Sequence, residues 1–196
     1  SKVYVNGKFV GHYPSGYNHF SYDITEFLNK DGSENTIAVQ VTNKQPSSRW
    51  YSGSGIYRDV TLSYRDKVQV AENGNHITTP KLAEQKEGNV ETQIQSKIKN
   101  TAKTLAKVYV EQQIFTKEGK AVSDLIRSVT KSLAGNETAD FKQTILVNKP
   151  TLWTTKSYHP QLYVLKTKVY NEGQLVDVTE DTFGYRYFNW TAKEGF

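Results

Sequence analysis

Val90-Glu91-Thr92-Gln93-Ile94-Gln95-Ser96-Lys97-Ile98-Lys99 decides the fold. Val90, Thr92, Ile94, Ser96 and Ile98 occupy every second position, and Glu91, Gln93, Gln95, Lys97 and Lys99 fill the places between. Side chains of a strand point alternately to its two faces, so this period of two predicts one dry face and one wet face. A helix, with its repeat of 3.6 residues, would scatter both sets over every face.

The same reading extends outward. Val108, Val110 and Ile114 repeat the alternation, Lys117-Glu118-Gly119-Lys120 turns the chain, and further strands are predicted near 122–133, 138–147, 162–170 and 175–182. Asn171-Glu172-Gly173 joins the last two. Strands at intervals of ten to fifteen residues without cysteine predict an antiparallel immunoglobulin-like sandwich that holds by burial alone.

Toward the start of the chain, Val3-Tyr4-Val5, Asn6-Gly7 and Lys8-Phe9-Val10 form a hairpin signal, because Asn-Gly supplies the two positive-φ residues of a type I′ turn. Strand-like alternation follows at 20–24 and 36–41, separated by the turn signal Asp31-Gly32-Ser33, and a strand is expected again at 56–62. The polar bridge Tyr64-Arg65-Asp66-Lys67 marks a domain boundary, with a first module over 1–64 and a second from 65 onward. No internal repeat or low-complexity tract interrupts this order.

Composition agrees with an all-β protein. The 196 residues are 36% hydrophobic and 12% aromatic, with thirteen Tyr, eight Phe and three Trp, side chains that suit a pleated, half-buried surface. Without cysteine there is no disulfide framework, thiol nucleophile or thiolate metal site. No apolar run reaches the roughly 20 residues of a membrane span, so no membrane insertion is expected. The net charge of +5 is spread along the chain with no Lys/Arg block, which gives no footing for nucleic-acid binding. His12, His19, His76 and His159 lie in different predicted elements, without metal-ligand spacing.

The candidate site is the loop between Asn43 and Gly55, where Ser48, Arg49, Trp50 and Tyr51 precede Ser52-Gly53-Ser54-Gly55. An indole face stacks on the C–H face of a sugar, and a guanidinium donates to its hydroxyls. The competing reading makes Trp50 and Tyr51 a wedge that fills an interior or an interface. A serine-histidine-aspartate site lacks its G-x-S-x-G elbow, and nothing nominates a pair of catalytic carboxylates.

Three stretches together resemble family 2 glycoside hydrolases. Val3-Tyr4-Val5-Asn6-Gly7-Lys8-Phe9-Val10-Gly11 with Gly16-Tyr17 and Phe20-Ser21-Tyr22-Asp23-Ile24-Thr25 resembles the middle of that family's sugar-binding jelly roll. Ser48-Arg49-Trp50-Tyr51-Ser52-Gly53-Ser54-Gly55-Ile56-Tyr57-Arg58 resembles the R-W-Y-x-G-x-G-I-Y-R motif at the jelly roll's end. Lys149-Pro150-Thr151-Leu152-Trp153, Pro160-Gln161-Leu162-Tyr163, Asp177 and Phe183-Gly184-Tyr185-Arg186 resemble the P-x-L-W…P-x-L-Y…D…F-G-x-R ending of its immunoglobulin-like domain.

The resemblance implies the C-terminal part of a jelly-roll β-sandwich followed by an immunoglobulin-like β-sandwich. Residues 185–196 would then approach a catalytic (β/α)₈ barrel that carries both glutamates of a retaining mechanism. It implies a non-catalytic accessory region that contacts the barrel within one polypeptide, no cofactor in this segment, and terminal β-galactosides as substrate. Mg or Na in the barrel stays open. In some β-galactosidases of the family an aspartate two residues before the loop tryptophan helps bind the sugar; this chain has Ser48 there.

The wording around Tyr13-Pro14-Ser15-Gly16-Tyr17 and Tyr51 to Arg58 is most similar to galactosidases of Gram-positive bacteria, some of them surface-attached. A secreted or cell-wall location and a cytoplasmic one both stay open. An alternative of another class is an independent carbohydrate-binding or adhesive β module, and a third is a plain spacer.

Overall fold

A computed structural model describes residues 1–44, 53–155 and 159–193. The chain divides into two compact units, Ser1–Leu62 and Ser63–Phe196. Among the described residues no helix is long and apolar enough to cross a membrane.

In the first unit, β1 (Lys2–Val5), β2 (Lys8–His12) and β3 (Ile37–Gln40) make an antiparallel sheet in the order β2-β1-β3. Asn6 and Gly7 stand at φ 50° and 76°, so the Asn-Gly pair forms the tight turn that its chemistry predicts. Asn6 also reaches across the unit. Its Nδ2 donates to Phe27 O at 3.0 Å and Asn35 Oδ1 at 2.8 Å, while its Oδ1 accepts from Thr36 N at 2.9 Å. One side chain thereby fastens the loop that leads into β3.

Two expected strands are absent from this unit. Phe20 and Tyr22 alternate because their rings pack together, with centroids 5.6 Å apart, and not because they share a ladder. Phe20 stacks on Tyr13 with centroids 4.8 Å apart, and the Tyr22 ring occupies the space that a Cβ at Gly11 would need. Residues 56–62 likewise form no strand, and Ile56, Val60 and Leu62 are exposed. Alternation sets which way side chains point; a ladder also needs a neighbouring backbone.

The second unit is a two-layer sandwich. One sheet has the order β4-β5-β9, from β4 (Val68–Thr78), β5 (Asn89–Asn100) and β9 (Thr138–Asn148). The other runs β11-β10-β6 with two short strands on its far side: β6 (Ala106–Thr116), β7 (Ile126–Arg127), β8 (Lys131–Leu133), β10 (Tyr163–Asn171) and β11 (Gln174–Phe183). A single helical turn, α1 (Leu82–Gln85), links β4 to β5 and buries Leu82. The expected segment at 122–133 is two short strands, not one.

Val90, Thr92, Ile94, Ser96 and Ile98 are all buried, as the alternation in β5 requires. The core between the sheets is in two parts. One apolar cluster centres on Ile98, Val108 and Phe141, the other on Ile94, Ile114 and Leu165. A polar layer also lies within the core. Gln112 Nε2 donates to Ser96 Oγ at 2.8 Å and Thr167 Oγ1 at 2.9 Å, and Ser96 Oγ donates to Asn75 Oδ1 at 2.5 Å. Asn75 Nδ2 then reaches Asp181 Oδ2 at 2.6 Å, which ties β4 to β11. Every hydrogen bond just named satisfies a buried or half-buried group, while Gln112 Oε1, shielded from solvent, accepts none.

β4 breaks register between Val70 and Asn75, with Asn73 at φ 51°. A bulge at this point aims Asn75 into the polar layer. Gly74 is obligatory there, since a Cβ would lie 2.7 Å from Ala71 O and 2.9 Å from Lys97 O. Gly74→Ala is expected to lower unfolding free energy by roughly 1–3 kcal/mol, seen as a lower urea midpoint at unchanged slope. Gly88→Ala, where the nearest atom would be 3.8 Å away, should leave the midpoint close to wild type.

Candidate functional site

The loop residues nominated for sugar contact, Ser48, Arg49, Trp50 and Tyr51, lie outside the described residues. The rest of their motif is described. Gly55 adopts φ 150°, a conformation glycine permits and side chains resist. Tyr57 Oη donates to Gly16 O at 3.2 Å, and the Arg58 guanidinium lies 5.3 Å from the Tyr57 ring centroid. The Gly16-Tyr17 stretch and the Gly55-Ile56-Tyr57-Arg58 stretch, distant in sequence, thus meet on the first unit.

The second motif closes on itself at one end of the sandwich. Phe183, at the end of β11, delivers Tyr185 into the interior, where it is wholly buried and shares a 2.8 Å hydrogen bond with Thr92 Oγ1. Tyr163 meets the Tyr185 ring edge-on at 5.0 Å, and Phe183 does so at 5.2 Å, the favoured T-shaped geometry. Trp153 N donates to Tyr185 O at 2.9 Å, and Thr151 N donates to Tyr163 Oη at 2.8 Å. Gly184 sits where a Cβ would crowd Gln161 O and the Trp153 ring, each at 3.1 Å, so a side chain there would require its neighbours to give by a few tenths of an ångström. P-x-L-W, P-x-L-Y and F-G-Y-R are therefore three segments of one knot.

From that knot an aromatic and cationic surface continues outward. The Arg186 guanidinium lies 4.6 Å from the Trp153 ring and 5.6 Å from the Phe188 ring. Lys86 Nζ donates to Tyr187 Oη at 3.2 Å, and that hydroxyl holds the Lys86 ammonium above its ordinary pKa. Tyr187, Phe188 and Trp190 are exposed. Burial pushes the Tyr185 hydroxyl far above the usual phenol range, so it remains protonated at any physiological pH. Among the described residues no group of three or more His, Asp or Glu could hold a metal ion.

Both motifs correspond to family models. The sugar binding domain of glycosyl hydrolases family 2 matches residues 1–66, and the glycosyl hydrolases family 2 domain matches residues 74–186. The chain belongs to glycosyl hydrolase family 2.

Across its whole length it is 36% identical to the β-galactosidase BoGH2A of Bacteroides ovatus, of which it covers 22%. It superposes on a family 2 member from Bacteroides cellulosilyticus with a TM-score of 0.88 at 29% identity, over 99% of this chain and 26% of that one. A Bacteroides uniformis β-glucuronidase gives 0.78 at 30% identity, over 96% of this chain and 23% of that one. The chain thus spans about a quarter of the length of the proteins it matches.

Sequence reasoning found every member of the knot as a motif, but not its packing. It read Asn6 as a turn residue only, and missed Asn75 and Gln112; the partners of all three lie tens of residues away. No local pattern marks such residues apart from a polar side chain at an inward-facing strand position.

Proposed function

We propose that the chain is the non-catalytic accessory region of a retaining family 2 β-galactosidase: residues 1–64 the C-terminal part of its sugar-binding jelly roll, 65–184 the immunoglobulin-like domain, and 185–196 the approach to the catalytic barrel. The observation that supports the reading is the match of this whole chain to 22% of BoGH2A, a β-galactosidase. The parent enzyme cleaves a terminal β-galactoside by double displacement between two carboxylates of the barrel, and this chain supplies position. Arg49 and Trp50, with Ser48 and Tyr51, shape one wall of the sugar pocket. The aromatic surface of Trp153, Arg186 and Phe188 is where the immunoglobulin-like domain braces the barrel. The loop makes the difference between a glycosidase wall and a plain spacer, since a spacer predicts no kinetic effect of its mutation.

The test uses the full-length enzyme with Arg49→Ala and Trp50→Ala on aryl β-galactosides. Each substitution should lower kcat/KM by about 10- to 100-fold, roughly 1.4–2.7 kcal/mol of lost transition-state binding, at unchanged melting temperature. Unchanged kcat/KM in both variants would remove the loop from the site. A second reading, β-glucuronidase, is favoured by the match to the Bacteroides uniformis enzyme. Faster turnover of aryl β-glucuronides than of aryl β-galactosides would decide for it.

A further inference from the structure

Asn-Gly occurs twice in the chain, at Asn6-Gly7 and Asn73-Gly74. The pair has a chemistry of its own, because glycine has no Cβ to keep its backbone nitrogen away from the side chain before it. That nitrogen can close a five-membered ring on the asparagine amide carbon. The fold gives the two pairs opposite surroundings.

Asn6 is locked. Its side chain donates to Phe27 O and Asn35 Oδ1 and accepts from Thr36 N, and its own N–H donates to Thr36 O at 2.9 Å. Ring closure there has to break the side-chain bonds first. Asn73 is exposed, and its side chain makes no hydrogen bond to any described residue. Residues 71–74 stand opposite the single residue Lys97, between the pairs Val70–Ile98 and Asn75–Ser96. This stretch of β4 can therefore turn without breaking a ladder pair.

We propose that Asn73-Gly74 is a self-modification site, at which the asparagine converts to isoaspartate and thereby loosens the tie between β4 and β11. Gly74 N gives up its proton and bonds to Asn73 Cγ, the Cγ–Nδ2 bond breaks, and the amide nitrogen departs with that proton as ammonia. Water then opens the ring. Cleavage between Gly74 N and Cγ leaves an ordinary aspartate. Cleavage between Gly74 N and the main-chain carbonyl carbon of residue 73 sends the backbone through the side chain, one carbon longer. The bulge has no room for that carbon, since a Cβ at Gly74 would already lie 2.7 Å from Ala71 O and 2.9 Å from Lys97 O. The next residue, Asn75, donates to Asp181 Oδ2 at 2.6 Å and accepts from Ser96 Oγ at 2.5 Å, so its displacement opens the polar layer.

Ageing the purified chain in mildly alkaline buffer, then mapping its peptides by mass spectrometry and enzymatic methylation of isoaspartyl carboxyls, tests the site. Isoaspartate should accumulate at position 73 about 10- to 100-fold faster than at position 6, where hydrogen bonds must break first. Asn73→Gly, at ease at the positive φ of this position, should abolish the signal there. The isoaspartyl form, separated by ion exchange, should melt below the fresh chain and lose amide protection at Asn75 and Asp181. Asn73→Asp, which adds the charge but not the carbon, should melt like the wild type. Equal or faster conversion at Asn6, or conversion at 73 only after denaturation, would overturn the proposal. So would an isoaspartyl form with wild-type melting and protection, or an equal loss in Asn73→Asp.

Discussion

Tyr185→Ala should unfold the second unit under conditions in which the wild type is stable. The ring is wholly buried and packs edge-on against Tyr163 and Phe183. Its removal empties the centre of the motif knot, and large-to-small aromatic changes of this kind cost roughly 3–5 kcal/mol. For a unit of this size that corresponds to a melting temperature lower by roughly 10–15 °C, read by calorimetry. A fall of only one or two degrees would mean that the knot collapses around the vacancy and does not hold the sandwich end together.

Tyr185→Phe separates the hydroxyl from the ring. Thr92 Oγ1, itself wholly buried, loses its partner, which costs roughly 1–2 kcal/mol. Adding Thr92→Val should recover most of that loss, because removal of both partners leaves no unmet group. Alkaline titration gives an independent readout. Burial raises the Tyr185 pKa in the folded state, so the unfolded chain loses this proton first. The contribution is therefore intact below pH ~10 and stability declines above it, by about 1.4 kcal/mol per pH unit from this group. The Tyr185→Phe variant should lack that component.

The strands of the second unit were legible because their alternation is local. Val90 to Lys99 reads correctly residue by residue, since a sheet covered on one side sorts its side chains by solvent alone. The same rule misreads Phe20 to Ile24 and Ile56 to Leu62, where alternation is present and a partner backbone is not. Thr92 and Ser96 were legible as buried, but what they bond was not: Tyr185 and Gln112 arrive from other strands. The break of 122–133 into β7 and β8 was equally hidden. At the nominated site the residue types pointed to sugar chemistry. Those residues, 48–51, lie outside the described residues.

Asp177→Ala should be nearly as damaging as Tyr185→Ala, for an electrostatic reason. β11 turns Asp177, Thr179 and Asp181 toward β4 at every second position, and this row fastens the two sheets. Asp177 Oδ2 accepts from Val70 N at 2.9 Å and from Arg65 Nη1 at 3.4 Å. Val70 N belongs to the edge of its sheet just before the bulge, so β5 cannot satisfy it. Without the carboxylate a buried N–H is unmet and a half-buried guanidinium loses its counter-charge, together roughly 2–4 kcal/mol. Arg65→Ala removes the more exposed partner and its 3.2 Å hydrogen bond to Val70 O, but leaves the Asp177 carboxylate bonded to Val70 N, and should cost less than Asp177→Ala, about 1–2 kcal/mol. Asp177→Asn retains an acceptor for Val70 N and should fall between them. Equal losses in Arg65→Ala and Asp177→Ala would assign the effect to the ion pair, and the backbone clip between sheets would then carry no weight of its own. The predicted order, Ala at 177 worst, Asn next and Arg65→Ala mildest, follows from which group stays buried without a partner.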